Sequence, residues 1–382
     1  MNKCLFIVNS INSGDSGMSG GDRIYLELAR RWKDRLQISI LASAEAETMC
    51  RRQGLADIGI DIRLISREMK IKESLSKTAL LVKTLKKTVE GISFVIKNKE
   101  LFKSADSMYS ASDFYSDSIP AFLVKKFINP KIKWIAGFYL FAPAPWTKDN
   151  PYRENDLLRG ILYCLTQRPV YWLVKRCADH IFVTSQPDVA KFLTKKRGSS
   201  GVTVVLGGVD ITEATECIEN GGIIPAKERK YDACFIGRFH QQKGVLVLID
   251  IWKKVAAQKP GALLAMIGNG PLEKEVSEKI AGLGLKENIQ LMGFLEGKAA
   301  NEVFKQSRVV LHPATFDSGG MASAGAMAWG LPGVSFDLES LRTYYPKGMV
   351  KAPLFDLDAF AGEVLRLLND PEYYEGHAAR AR

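Results

Sequence analysis

Short apolar runs alternate twice along this chain with glycine-rich turns and helix-forming stretches, and that alternation restricts it to a layered α/β architecture. CLFIVNS leads into SGDSGMSGG and then DRIYLELARRWKD, whose apolar residues recur at helical spacing. The runs QISILA, IDIRLIS, KWIAGFYLF and HIFVTS continue the pattern, and VTVVLGGVD, ending at Asp210, closes the first set. Strand, glycine turn, helix, strand is the order of a parallel sheet made of crossover units. Residues 211–229 (ITEATECIENGGIIPAKER) lose periodicity and carry paired glycines and a proline, so a linker is expected there. A second set follows: YDACFIG, VLVLIDIWKKVAAQ, ALLAMIG, LEKEVSEKIAGLG, IQLMGF, AANEVFKQS, RVVLHPA and PGVSFD. The expectation is two Rossmann-like, doubly wound domains, 1–212 and 213–382, with a ligand cleft between them.

A chain of 382 residues can bury two such cores, and 46% hydrophobic with 25% charged residues is ordinary for a globular protein. Cys4, Cys50, Cys164, Cys177, Cys217 and Cys234 are scattered, as are His180, His240, His312 and His377. Neither set has CxxC or metal-ligand spacing, so reduced thiols in a cytoplasm and no bound metal are expected. The N-terminal apolar run is too short for a secretory signal. No segment reaches the roughly 18–20 apolar residues of a membrane span. The nearest approach, Gly160 to Val183, is interrupted by Gln167, Arg168, Lys175, Arg176 and Asp179 and reads as a surface or interface helix.

The net charge of +11 suits an anionic partner. Basic residues concentrate between Arg67 and Lys103 and again at Lys125, Lys126, Lys131 and Lys133. With no RNA-binding signature and no zinc-finger spacing, nucleic acid is not an expected partner. The stretch MKIKESLSKTALLVKTLKKTVE pairs leucines and valines with lysines. Such a basic amphipathic helix fits an anionic bilayer surface, and equally a solvated helix face.

Several strand ends carry residues suited to a phosphorylated ligand. In Ile236-Gly-Arg-Phe-His-Gln-Gln-Lys-Gly244, Arg238 and Lys243 sit on a loop just ahead of a helix. Two cations beside a helix N-terminus can converge on a diphosphate, the arginine as a fork and the lysine as a mobile point charge. The plainer alternative is two solvated loop cations. Gly268 and Gly270 follow the strand ALLAMIG in a GNGP turn, and Gly293-Phe294 follow IQLM. Gly20 and Gly21 open the first helix, where backbone can approach phosphates, although a flexible turn is an equal reading of that pair alone. There is neither GxGxxG nor a P-loop, which sets aside dinucleotide oxidoreductases and P-loop ATPases. From His312 to Asp337 the chain reads HPATFDSGGMASAGAMAWGLPGVSFD: strand, glycine turn, small-residue helix, Gly-Leu-Pro-Gly break, strand.

Taken together, G-R-x-x-x-x-K-G, G-x-G-P and the His312–Asp337 stretch resemble family 4 glycosyltransferases, most specifically between Ile236 and Asp337. In that family a Glu begins the glycine turn and a second Glu follows eight positions later; here Asp317 and Gly325 hold those places. The resemblance implies a GT-B fold and retaining, metal-independent transfer of a sugar from a nucleotide-sugar donor, with no cofactor. Arg238 and Lys243 would neutralise the departing diphosphate, and Asp317 would orient the donor sugar. Gly20, Gly21, Gly268, Gly270, Gly293, Phe294, Ser318, Gly319, Gly320, Met321 and Gly325 would line the donor. Gly325 has no carboxylate for the ribose diol, a loss on the order of 1.5–3 kcal/mol per charged hydrogen bond.

The acceptor, a glycan or lipid-linked molecule, is expected on the first domain. There Asp113, Asp117, Phe138, Tyr139 and a proline-rich loop are expected to face the cleft, the two aspartates as a cap and a surface carboxylate. No histidine follows KWIAGFYLF, so no general base carries over, and the departing phosphate would assist deprotonation. Alternatives are a non-catalytic glycosyltransferase-like subunit that binds nucleotide or glycan, and a sugar-nucleotide epimerase on the same fold. Relatives continue into a final helix that crosses back to the first domain; beyond LLNDPEYYEGHAARAR this sequence is expected either to be truncated or to close differently. The location implied is cytoplasmic, peripheral at the inner face of a membrane.

Overall fold

The structure, a computed structural model, describes residues 1–10, 18–66, 77–144, 146, 157–317 and 319–381, with backbone alone at 77–81 and 159. The chain divides into two compact units, Met1–Gly208 and Val209–Arg382, each built on its own parallel sheet.

The first sheet comprises β1 (Asn2–Val8), β2 (Leu36–Ser43), β3 (Asp61–Ser66), β4 (Ser107–Ser110), β5 (Lys133–Gly137), β6 (His180–Val183) and β7 (Val202–Val204). Their order is β3-β2-β1-β4-β5-β6-β7. Helices cover both faces, so the central strand presents apolar side chains on both sides and reads as a continuous run, not an alternation. On one face Phe6 packs edge-on against Tyr109 and Trp32. On the other lie Leu5, Ile7, Phe102 and Trp134. The helix Gly20–Trp32 opens with a capping box, in which Ser19 Oγ accepts from the Asp22 N–H at 3.2 Å and Asp22 Oδ2 from the Ser19 N–H at 2.8 Å. Such a cap contributes about 1 kcal/mol and fixes where the helix starts.

Three expectations about this unit are corrected. Phe138 is fully buried in an aromatic cluster with Phe141, Tyr171 and Phe192, and Tyr139 is buried against Tyr109. Neither therefore offers a face to a ligand. Asp117 is wholly buried and not a surface carboxylate, because its oxygens tie the ends of β1 and β4 together. Asp113 is half-buried and accepts from Gln167 Nε2 at 2.6 Å.

The second sheet comprises β8 (Tyr231–Ile236), β9 (Leu264–Ile267), β10 (Ile289–Gly293), β11 (Ser307–His312), β12 (Gly333–Phe336) and β13 (Met349–Ala352), in the order β10-β9-β8-β11-β12-β13. Helix Val245–Gln258 packs Leu248, Ile249, Trp252 and Val255 into a core shared with Phe235, Phe336 and Phe360. The expected linker at 211–229 is instead partly structured. Helix Thr212–Glu219 belongs to the second unit, and Ala214 packs into its core with Val303 and Phe304. One apolar anchor per two turns was too little to show as periodicity. The strand Met349–Ala352, only four residues long, also lay below the level of pattern recognition.

Candidate functional site

The sheet order places β10, β9, β8 and β11 side by side, so Gly293, Gly268, Arg238 and Asp317 all lie at the carboxyl edge of one sheet. Ligands of doubly wound sheets bind at such edges, around the point where strand order reverses. Here the reversal falls between β8 and β11.

The segments leaving the strands are joined by backbone. The Gly268 N–H donates to the Gly293 carbonyl at 2.8 Å, and the Phe239 N–H donates to the Asn269 carbonyl at 2.7 Å. Gly268 and Gly270 thereby hold the GNGP turn against the Arg238 loop. On the opposite side the Thr315 N–H donates to the Gln242 carbonyl at 3.2 Å. Gly244, at φ 66°, ends the turn Gln241–Lys243 and begins the helix Val245–Gln258. A Cβ at Gly244 would stand 2.0 Å from the Pro313 carbonyl oxygen, so only glycine allows the two loops to approach this closely.

That approach brings the side chains together. Lys243 Nζ donates to Asp317 Oδ2 at 2.6 Å, and His312 Nε2 lies 3.2 Å from the same oxygen. On its other side, His312 Nδ1 is 3.0 Å from Ser323 Oγ. Ser340 Oγ donates to the Asp317 carbonyl at 2.6 Å, and Tyr345 Oη donates to the Gly320 carbonyl. Gly320, at φ 59°, leaves no room for a Cβ, which would meet the His312 ring at 2.7 Å. Burial opposes the Asp317 charge, but Lys243 and His312 more than offset it and hold the carboxyl well below the usual carboxylate range. Asp317 is therefore a fixed anion at neutral pH.

The cations differ in setting. Arg238 is exposed and makes no ion pair among the described residues, whereas Lys243 is half-buried and held by Asp317. Both stand ahead of the N-terminus of a fourteen-residue helix, whose unpaired N–H groups add positive potential. Phe294 is partly exposed beyond Gly293 at the edge of the sheet. Gly319 is buried, and its N–H lies 3.4 Å from Asp317 Oδ1. Met321 begins the helix Met321–Met327, and Gly325 sits inside it. A Cβ at Gly325 would meet only the Phe304 ring, at 3.6 Å, so space does not demand glycine there. Ser318 lies outside the described residues.

Gly20 and Gly21 are the first two residues of helix Gly20–Trp32 in the first unit, where Gly21 closely approaches the Tyr139 ring. Sequence reasoning missed His312, Ser323, Ser340 and Tyr345. The one local signal was a polar His312 directly after the apolar run VVL and ahead of Pro313. Among the described residues, no three or more His, Cys, Asp or Glu side chains gather as a metal ion requires, and no helix is long and apolar enough to cross a membrane.

Residues 219–382 match the family described as Glycosyl transferases group 1. The α-D-kanosaminyltransferase of Streptomyces kanamyceticus is 24% identical over 149 residues, 38% of this chain and 39% of that protein. An uncharacterized glycosyltransferase of Methanocaldococcus jannaschii is 25% identical over 278 residues, 69% of this chain and 63% of that protein. The matched stretches thus span less than two thirds of these curated relatives. The Anabaena protein HepE in complex with UDP and glucose superposes with a TM-score of 0.67 at 16% identity, covering 100% of this chain and 94% of that one. A mutant of Staphylococcus aureus TarM, in complex with Fondaparinux, alpha-GlcNAc-glycerol and UDP, gives a TM-score of 0.71 at 10% identity, covering 100% and 95%. These likenesses establish the fold, two parallel-sheet Rossmann-like units of the GT-B class.

Proposed function

We propose that this protein is a glycosyltransferase that moves a sugar from a nucleotide-sugar donor to a glycan or lipid-linked acceptor, with retention and without a metal ion. The observation that carries the reading is the meeting of the Arg238–Lys243 loop with the Asp317 turn at the carboxyl edge of the second sheet. In the reaction, the bond between sugar C1 and the β-phosphate oxygen breaks, and a bond from C1 to the acceptor oxygen forms on the same face. The acceptor proton passes to the departing phosphate oxygen. Negative charge grows on the diphosphate as C1 leaves, and this is the charge that Arg238, Lys243 and the helix N-terminus stabilise. Lys243, already held by Asp317, requires little rearrangement at that moment.

Asp317 has two roles in this scheme. It keeps Lys243 anchored before the donor binds, and its remaining lone pairs accept hydrogen bonds from donor-sugar hydroxyls. The other donor contacts come from backbone at Gly268, Gly270, Gly293, Gly319 and Gly320, with Phe294 and Met321 beside them. The structures of HepE and TarM contain UDP, which makes uridine diphosphate sugars the first donors to screen.

The test is release of free nucleotide diphosphate from a panel of nucleotide sugars, with products followed by mass. Turnover that falls on the order of a hundredfold or more in Arg238→Ala supports transfer, given what loss of one transition-state donor costs. A second reading, a non-catalytic subunit that binds nucleotide or glycan, draws on Gly325, which cannot offer a carboxylate to a ribose. Saturable nucleotide binding with no turnover on any donor would favour it.

A further inference from the structure

The helix Leu157–Cys177 is apolar on the wrong side as well as the right one. Its inward face supplies Val170 and Val174 to the core of the first unit. Its outward face is the row Leu158, Leu162, Leu165, Pro169, Trp172 and Arg176, spaced four, three, four, three and four apart, and every one is exposed. Such spacing aligns side chains on one narrow stripe. Five of the six are apolar, where a solvated helix would carry charge.

A second stripe lies on the same side of the sheet. Helix Lys77–Lys97 exposes Val82, Leu85, Val89 and Ile96, again on one face, while Val95 points into the core. The helix Tyr115–Leu123 packs between the two: Gly91 closely approaches Pro120, and Val95, Ala121, Val124, Val170 and Val174 share one buried cluster. Just beyond that middle helix Phe127 is 70% exposed. The outer surface of this three-helix layer is therefore an extended apolar patch, beyond what single exposed leucines would amount to.

The charges around the patch are mostly positive. Lys86, Lys97, Lys126, Arg168 and Arg176 are all exposed there. Glu90, half-buried, lies 3.9 Å from Lys86 and is its local counter-charge. The patch also carries two tryptophans with arginine partners: Arg176 lies 5.3 Å from the Trp172 ring, and Arg168 lies 6.0 Å from the ring of Trp146, itself 74% exposed. Indole with an apolar body and polar edge, beside cations that can reach headgroup phosphates, is the side-chain chemistry of a membrane–water interface.

We infer that this outer face of the first unit docks onto an anionic lipid bilayer, lying in the interface with the Leu158–Trp172 stripe among the upper acyl chains. The occupant is set by charge complementarity: an apolar surface rimmed by arginine and lysine matches apolar chains beneath phosphate headgroups. The depth suits the roughly 5–10 Å reached by interfacial helices. The sequence pointed to the basic stretch 69–90, of which 69–76 lie outside the described residues, and read 160–183 only as a surface or interface helix; the Leu157–Cys177 stripe extends the surface and contributes an aromatic anchor at Trp172.

Flotation of the full chain with vesicles, in the absence of any donor, tests this separately from sugar transfer. Vesicles of phosphatidylcholine and phosphatidylglycerol in equal parts should carry the protein, and phosphatidylcholine alone should carry it about tenfold more weakly, since several basic residues each add attraction. Leu162→Asp with Trp172→Asp should reduce binding about tenfold or more, with the circular dichroism spectrum unchanged because both side chains are exposed. Brominated acyl chains should quench tryptophan fluorescence in the parent protein. No flotation on anionic vesicles, or undiminished flotation of the double variant, would overturn the inference. So would a dimer in light scattering that the same substitutions dissolve, since the stripe would then be covered by a second copy of the chain.

Discussion

Lys243 Nζ and Asp317 Oδ2 stand 2.6 Å apart although 74 residues separate them, and this contact locks the loop after β8 to the turn after β11. Asp317 is nearly buried, with 7% of its side chain accessible, so Lys243 and His312 are what keep it charged. Removing one partner of such a pair leaves an uncompensated buried charge. Lys243→Ala is expected to destabilise the second unit by about 3 kcal/mol, and the double variant with Asp317→Asn should recover part of that loss. Urea unfolding of the four proteins measures the coupling; strictly additive effects would mean that the pair is not energetically joined.

The same pair fixes a pH response. The folded pKa of Asp317 is depressed, so its contribution to stability is fully present above the ordinary carboxylate value of about 3.9 and is lost as pH falls below it. An acid-unfolding midpoint that is unchanged in Asp317→Asn would contradict this.

Asp117 behaves in the opposite sense. Burial raises its pKa to about 6, against the opposing pull of Ser112, Ser10, the Asn9 N–H and Lys87. A raised carboxyl pKa means that the fold prefers the proton. Its contribution is therefore complete below about 3.9 and is lost as pH rises to about 6. Relative to Asp117→Asn, the parent protein should lose on the order of 2–3 kcal/mol between pH 4 and pH 7, levelling off above that. Asp113 titrates in the same window but is common to both proteins, so the difference isolates Asp117. Parallel stability curves would rule the assignment out.

Gly244 offers a purely steric test. At φ 66°, with the Pro313 carbonyl in its path, Gly244→Ala should cost more than the roughly 1 kcal/mol of a left-handed alanine, because the two loops must separate. Turnover should fall with stability, since separation also pulls Lys243 from Asp317. Gly261→Ala, where nothing lies within 4 Å of the new Cβ, is the control.

Most strands were legible because both sheets are covered on both faces, so their residues form apolar runs such as CLFIV and LAMI, whereas Ser107–Ser110 and Met349–Ala352 are too short and mixed to stand out. The site's outline was legible for a related reason: a parallel sheet delivers every strand end to the same edge, and the marked residues sat at those ends. What the sequence could not display were contacts made across crossovers. Lys243 with Asp317 and His312 with Ser323 depend on β8 and β11 being neighbours, which strand order alone decides. Asp117 looked like a surface carboxylate because the hydroxyls of Ser10 and Ser112 that enclose it belong to different strand ends. Phe138 and Tyr139 were assigned to a ligand face on position, whereas aromatic packing holds them inside. The outward stripe of Leu157–Cys177 was obscured by its apolar inner face, since a helix apolar on two sides shows no single periodicity.

Gly325 provides the most direct test of how a nucleotide is held. It lies in the interior of helix Met321–Met327, where glycine costs about 1 kcal/mol relative to alanine. Since a Cβ there meets only ordinary contact with Phe304, Gly325→Ala should raise stability by about 0.5–1 kcal/mol. Gly325→Glu adds a carboxylate at the position from which the ribose diol would be reached. If a nucleotide diphosphate binds along the carboxyl edge beside Lys243, this variant should bind UDP about tenfold to a hundredfold more tightly, the value of one or two charged hydrogen bonds. Titration calorimetry of UDP against the parent, Gly325→Ala and Gly325→Glu separates the helix effect from the ligand effect. Equal affinity in all three would mean that the ribose does not sit over this helix, and the donor would then have to lie along the sheet edge in a different register.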